Sequence, residues 1–217
     1  MPVLAYIIVA VGAYLLGSLP TGFLVARAKG VDIRTVGSRN MGATNVFRVL
    51  GKGPGTFVFL ADLLKGLGAV LLARYFVSHV MVLEDCDCTW FNQASAPIIA
   101  GLCAILGHNY TCWLGFKGGK GIATSGGVIA ALVPWAFLAG LITWIICFVT
   151  TRFVSIASIA AAAVLPFVTW LSTRDLRLTA VTTAMAALAI YKHKANIQRL
   201  LNGTEGRFHF KKKDIEP

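Results

Sequence analysis

Between residues 107 and 127 the chain reads Gly-His-Asn-Tyr-Thr-Cys-Trp-Leu-Gly-Phe-Lys-Gly-Gly-Lys-Gly-Ile-Ala-Thr-Ser-Gly-Gly. This sets His108, Asn109, Lys117, Lys120, Thr124 and Ser125 among seven glycines. Glycine leaves backbone amides accessible, and successive amides beside a lysine form a concavity that suits an anion. The chemistry within reach is the holding of a phosphate or carboxylate group. A nucleotide P-loop is excluded, because that pattern needs a strand before it and Ser or Thr directly after the lysine. Here Gly121 follows Lys120, and Leu114 stands where the first glycine belongs. What remains are the amides at Gly118, Gly119 and Gly121, a nearby lysine, and a helix predicted to start near Ile122. The free N–H groups of a helix start attract anions.

Two further blocks carry polar side chains at useful spacing. Residues 37–48 supply donors from Ser38, Arg39, Asn40, Thr44, Asn45 and Arg48. A short helix over the second part sets Thr44, Asn45 and Arg48 on adjacent turns; a merely solvated basic loop has the same composition. In residues 192–205, helical spacing puts His193 and Asn196 on one face, with Arg199 next along it. Gly203 is a natural helix stop. Lys192 and Lys194 point elsewhere and suit an anionic lipid leaflet. The sequence holds no metal-ligand cluster, no paired acid–base carboxylates and no Ser–His–Asp order. Any catalysis would therefore rest on clamping charge and positioning reactants, and no metal or cofactor is expected.

The elements that must position these residues follow from composition. The chain has 217 residues, 57% of them hydrophobic and 13% charged, with a mean hydropathy of +0.73. Soluble domains carry about 25% charged residues. The expectation is an all-α, polytopic membrane helix bundle, with residues 1–217 forming a single domain. The formal net charge of +11 sits in short loops between apolar runs, as the positive-inside rule requires. It points to lipid headgroups or a phosphorylated substrate, not nucleic acid. Polar, glycine-rich backbone beside such runs survives only inside protein or against a watery cavity. The five cysteines form no zinc pattern. Cys103 and Cys147 lie in apolar runs. Cys86 and Cys88 are too close in sequence for an unstrained bridge, so free thiols are expected. The first apolar run is long enough to span and lacks the basic start of a cleavable signal.

The apolar segments are 3–26, 54–77, 95–106, 122–132, 134–150, 154–171 and 179–191. Pro20 should kink the first, whether for a structural or a functional reason. Asp62 and Lys65 share a face of the second; they should point inward and pair, as structural support or as part of a site. Pro134 divides the overlong run 122–150 into two helices. Residues 151–158 return to the inside, and residues 78–94 and 172–178 lie outside. About seven transmembrane helices result, with the N-terminus outside and the C-terminus cytoplasmic. An odd count brings the loop 27–53, the stretch 107–127, residues 152–158 and the tail to one side.

With these residues in view, the chain resembles the bacterial membrane glycerol-3-phosphate acyltransferases that use acyl-phosphate, the PlsY family. The three blocks 37–48, 107–127 and 192–205 look like that family's three signature motifs. Gly-Ser-Arg-Asn-x-Gly-Ala-Thr-Asn-Val, Gly-His-Asn-Tyr with Gly-Phe-Lys-Gly-Gly-Lys-Gly, and Lys-His-x-x-Asn-Ile-x-Arg-Leu-Leu-x-Gly-x-Glu are each long. Met41 and Thr111 stand where the family usually has proline, which predicts looser loops. The external loop around Glu84–Asp87 is longer than usual. The resemblance implies an enzyme of the bacterial inner membrane with its active site toward the cytoplasm. It implies transfer of a fatty acyl group from acyl-phosphate to the 1-hydroxyl of glycerol 3-phosphate, giving lysophosphatidic acid and inorganic phosphate. Ser38, Arg48 and Lys120 would hold phosphate groups, and His193 and Asn196 would position glycerol 3-phosphate. The Gly118, Gly119 and Gly121 amides would receive the acyl-phosphate, and Ser158, or failing it Ser155, would donate into the same site. Asn45, His108 and Asn109 are further substrate-binding candidates. The proton acceptor stays open among His193, His108 and a phosphate oxygen. Membrane lipid is the remaining partner, and no obligate protein partner is implied. The rival reading is a membrane transporter for a phosphorylated solute, which broken helices would also suit.

Overall fold

The computed structural model describes residues 2–80 and 95–208. The expectations about Glu84, Asp85, Asp87, Cys86 and Cys88 fall outside the described residues. Every regular element among the described residues is helical. The chain divides into two compact units, Met1–Pro134 and Trp135–Pro217.

The first unit contains α1 (Pro2–Ser18), α2 (Thr21–Arg27), α3 (Ala43–Leu50), α4 (Lys52–Tyr75), α5 (Ser95–Asn109) and α6 (Ile122–Leu132). A wider turn, Phe76–Val80, prolongs α4, and a short 3-10 turn, Cys112–Leu114, follows α5. The α1 helix packs on α5, and α4 packs on α3, α5 and α6. These pairs meet through small residues, as helices in lipid do when apolar surface alone gives no drive to associate. A Cβ on Gly107 would strike the Tyr14 carbonyl and Ser18, and one on Gly127 would strike the backbone of Leu63 and Leu67. The interior between α1, α4 and α5 is built from Val9, Ala13, Ala69, Ala73, Ala100 and Ala104. Large apolar side chains face outward instead: Val3 is 67% exposed and Leu72 62%. A soluble core has the opposite arrangement, so this surface is one for lipid.

Pro20 does more than kink the first segment. It separates α1 from α2 at Leu19 and Pro20, since a residue without an N–H cannot continue the ladder. Asp62 and Lys65 are buried and paired at 2.8 Å, as the need to neutralise charge inside a membrane helix requires. The α5 helix continues past the expected end at 106 to Asn109. Pro134 divides the long run where expected, into α6 and the next helix.

The second unit contains α7 (Pro134–Thr151, its first residue shared with the boundary), α8 (Val154–Thr173), α9 (Leu176–Lys192) and α10 (Lys194–Leu201). The α8 and α9 helices pack together. Their connection is shorter than the expected loop 172–178: Arg174 is left-handed (φ 53) and Asp175 caps α9, accepting from the Arg177 and Leu178 amides. The α7–α8 connection is only Arg152 and Phe153, so Ser155 and Ser158 stand on the first turns of α8. The tail helix is not continuous. It breaks at His193 (φ −94, ψ 5), which separates α9 from α10.

Helices occupy all seven expected apolar segments. Among the described residues, four stretches are long and apolar enough to cross a membrane: Val3–Arg27, Lys52–His79, Pro134–Thr151 and Val154–Thr173; Ile122–Leu132 is apolar but shorter.

Candidate active site

In the first unit, the loop after α2 is held by Asn45. This buried amide accepts from the Ser38 N–H at 2.8 Å and donates to the Ile33 and Val36 carbonyls at 3.2 and 3.1 Å. Gly37 (φ +59) closes over it, where a Cβ would collide with Asn45 Oδ1. Asn45 therefore braces the loop. Ser38 and Arg48 are exposed. Both depend on α3: Asn45 fixes the Ser38 backbone, and Arg48 lies three residues further on the same helix. Asp32 binds Arg34 through Nε at 2.9 Å and a terminal nitrogen at 2.7 Å. Those hydrogen bonds from Arg34 hold its carboxyl at about 2, so Arg34 has a carboxylate partner of its own. Met41 is buried with Ile33, Val46 and Val58, and packing there replaces the looseness expected at that position.

The glycine stretch folds back on the end of α5. The Gly118 N–H donates to the Asn109 carbonyl at 3.2 Å and the Gly119 N–H to the His108 carbonyl at 3.0 Å. Two of the amides expected to receive an anion are thus engaged with backbone. His108 and Asn109 are buried beneath the turn: a Cβ on Gly119 would enter the His108 ring, and one on Gly121 would meet Asn109 Oδ1. Nδ1 of His108 lies 3.6 Å from Asp62. Gly121 (φ 78) occupies the N-cap of α6 and has no side chain to accept from its first turn, and a helix start favours an anion. Lys120, half-buried, immediately precedes it. Thr111, where looseness was also expected, has a backbone that proline could adopt (φ −66, ψ 128). Its buried hydroxyl donates to the Ser18 carbonyl at 2.6 Å, so this loop too is held.

In the second unit the centre is Glu205, which the sequence reading left without a role. Oε1 accepts from Ser155 Oγ at 2.8 Å and from Asn196 Nδ2 at 2.6 Å, while Oε2 takes Arg199 Nε at 2.7 Å. Gly203 (φ +69) turns the chain back so that Glu205 reaches α10. Partial burial would raise the Glu205 pKa, but the hydrogen bonds from Asn196, Arg199 and Ser155 outweigh it and hold the carboxyl below 4.5. Arg199 lies next along the face of Asn196, as its spacing predicts, and both side chains meet this one carboxylate. His193 is buried, and its Nδ1 lies 2.8 Å from the Ala189 carbonyl. A carbonyl only accepts, so Nδ1 carries a proton. Ser158 is buried; it donates to the Val154 carbonyl at 2.8 Å and accepts from Trp144 Nε1 at 3.2 Å. The spacing Arg199 to Glu205 across Gly203 was the one sequence signal for the Glu205 cluster.

Known proteins share this chain's pattern. Residues 7–203 match the family model described as glycerol-3-phosphate acyltransferase. A glycerol-3-phosphate acyltransferase of Geotalea daltonii is 46% identical over 93% of this chain and 97% of its own length. One from Geobacter metallireducens is 49% identical, again over 93% of this chain and 97% of its own. Among solved structures, a crystal structure of PlsY, an integral membrane glycerol 3-phosphate acyltransferase in its glycerol 3-phosphate form, aligns with a TM-score of 0.82 at 38% identity. It covers 94% of this chain and 96% of that one. The lysophosphatidic acid form of the same protein aligns with a TM-score of 0.79 at 37% identity, with the same coverage.

Proposed function

The chain belongs to the glycerol-3-phosphate acyltransferase family, and on that premise we propose that its acyl donor is an acyl-phosphate and its products are 1-acyl-glycerol 3-phosphate and inorganic phosphate. The observation that carries this is the glycine N-cap of α6, Gly121, with Lys120 directly before it. A donor bearing its own phosphate suits backbone amides and a point charge. Oxygen of the 1-hydroxyl attacks the acyl carbonyl carbon, the bond from that carbon to the phosphate oxygen breaks, and phosphate leaves with the electron pair. The hydroxyl proton passes to His193, His108 or a phosphate oxygen. Phosphate is a good leaving group, so a strong protein base is unnecessary.

Ser38, Arg48 and Lys120 hold phosphate groups, Arg48 with the fork geometry of a guanidinium. The Gly121 region, with Gly118 and Gly119 setting its shape, receives the acyl-phosphate, and its amides stabilise the tetrahedral oxyanion. His193 and Asn196 position glycerol 3-phosphate. Ser155 and Ser158 support this set from α8. Residues 1–217 act as one acyltransferase domain in the bacterial inner membrane. The seven helical segments cross it, with the N-terminus outside and the C-terminus and active site cytoplasmic; the basic loop 27–53 supports this side. Membrane lipid is the only other partner.

Detergent-purified protein given acyl-phosphate and glycerol 3-phosphate should release inorganic phosphate and form the acylated product. Flux of a phosphorylated solute through proteoliposomes without phosphate release would instead support a transporter. Labelling introduced cysteines from either side checks the topology.

A further inference from the structure

Where α1 ends, its last carbonyls leave the helical ladder, and Pro20 prevents α2 from continuing it. Side chains from distant parts of the first unit meet two of them. Thr111 Oγ1 donates to the Ser18 carbonyl at 2.6 Å. Lys65 Nζ, paired with Asp62 at 2.8 Å, donates to the Leu19 carbonyl at 2.9 Å, which also takes the Thr21 N–H at 3.0 Å. Ser18, Lys65 and Thr111 are all buried.

Each tie leads to the anion-binding turn. The end of α1 also holds residues 107 and 110: Ser18 Oγ donates to the Gly107 carbonyl at 3.4 Å and the Tyr14 hydroxyl to the Tyr110 carbonyl at 2.7 Å. Between these contacts lie His108 and Asn109, whose carbonyls accept the Gly119 and Gly118 amides. The other tie runs through α4. Gly66, next to Lys65, lies against the Thr124 backbone in the first turn of α6. The helix break, the base of the glycine turn and the start of α6 are therefore one hydrogen-bonded and packed assembly.

We propose that Thr111, with Lys65, is a positioning residue for the acyl-phosphate site: by gripping the carbonyls exposed at the α1–α2 break, these side chains hold the Gly118–Gly121 backbone and Lys120 where they meet phosphate. This rests on the acyl-phosphate reading above. Neither residue touches substrate. Their effect passes through backbone, and it is specific to the ligand bound at that turn.

The test varies acyl-phosphate and glycerol 3-phosphate independently, with the full-length protein and the variants Thr111→Val and Thr111→Ser. Valine keeps the volume and removes the donor; serine keeps the donor. Thr111→Val should raise KM for acyl-phosphate roughly five- to tenfold, the effect of one lost buried hydrogen bond. KM for glycerol 3-phosphate should stay within about twofold, and Thr111→Ser should restore most of the loss. A purely structural role lowers the active fraction and moves neither KM, and that result overturns the proposal. So does serine failing as badly as valine. If Thr111→Val does not fold, Thr111→Cys asks the same question with a weak donor. Amide hydrogen exchange over residues 107–124 gives a readout independent of turnover: faster exchange in the donor-less variants than in Thr111→Ser is expected, and equal exchange overturns the positioning role. A parent protein that releases no phosphate contradicts the acyl-phosphate reading alone, and the exchange data then decide the positioning role separately.

Discussion

Asn196 and Ser155 share one acceptor atom. Nδ2 of Asn196 and Oγ of Ser155 both donate to Oε1 of Glu205, at 2.6 and 2.8 Å, while Arg199 holds the other oxygen. One carboxylate therefore joins α8 to α10 and orients the Asn196 amide. Glu205→Gln removes the charge that Arg199 faces and weakens a charge-assisted bond worth about 1.5–3 kcal/mol. Thermal unfolding in detergent should show that loss, and turnover should fall with it as Asn196 loses its fixed orientation. A variant that unfolds and turns over like the parent would remove Glu205 from this role.

The same carboxyl sets a pH dependence. Its folded pKa is held below 4.5. The ionised form is thus favoured by folding, and the stability it contributes is present above 4.5 and lost as pH falls through the lowered folded value. The parent should lose stability in that acid range, and Glu205→Gln should show a flatter profile there. Unfolding midpoints across an acid series measure both.

Lys120 precedes the glycine N-cap of α6; in the proposed reaction its ammonium and the helix-start amides act together on developing negative charge. Lys120→Ala should fold, yet lose on the order of 10²–10³ in kcat/KM, the range seen when one preorganised oxyanion contact is removed. Lys120→Arg should recover part of it. Full turnover in the alanine variant would sink the clamp.

His193 has its Nδ1 proton committed to the Ala189 carbonyl, which aims the ring and argues for positioning. His193→Gln should raise KM for glycerol 3-phosphate more than it lowers kcat. Steady-state kinetics with acyl-phosphate saturating separates the two, and a kcat collapse with unchanged KM would instead make His193 the proton acceptor.

Gly119 and Gly115 offer a matched pair. An added Cβ at Gly119 enters the His108 ring, whereas at Gly115 it meets open space, with only the left-handed φ of +61 to strain it. Gly115→Ala should cost about 1–2 kcal/mol of stability with KM for acyl-phosphate unchanged. Gly119→Ala should displace the turn and raise that KM, on top of an overpacking cost of about 1–3 kcal/mol.

Much of this was legible in the chain itself. Apolar runs, Pro20 and Pro134 define where helices run and stop, because hydropathy and the missing proline N–H act locally. The pairing of Asp62 with Lys65 follows from their three-residue spacing in an apolar helix. The helix carrying Asn45 and Arg48 follows from spacing as well. The break at His193 did not, since nothing in residues 189–196 excludes a continuous helix; the observed His193–Ala189 contact accompanies the break.

Sequence alone determined which residue types lie in which helical segment and that three polar blocks suit phosphate chemistry. Tertiary structure decided which donors in those blocks are already engaged. The Gly118 and Gly119 amides bind backbone, Asn45 braces its own loop, and Glu205 gathers Ser155, Asn196 and Arg199. The physical reason is that a buried donor must find an acceptor, and several of these acceptors are supplied by residues far along the chain, as Ser18 is for Thr111. Local spacing says what a side chain can offer, and packing sets what it has left to give.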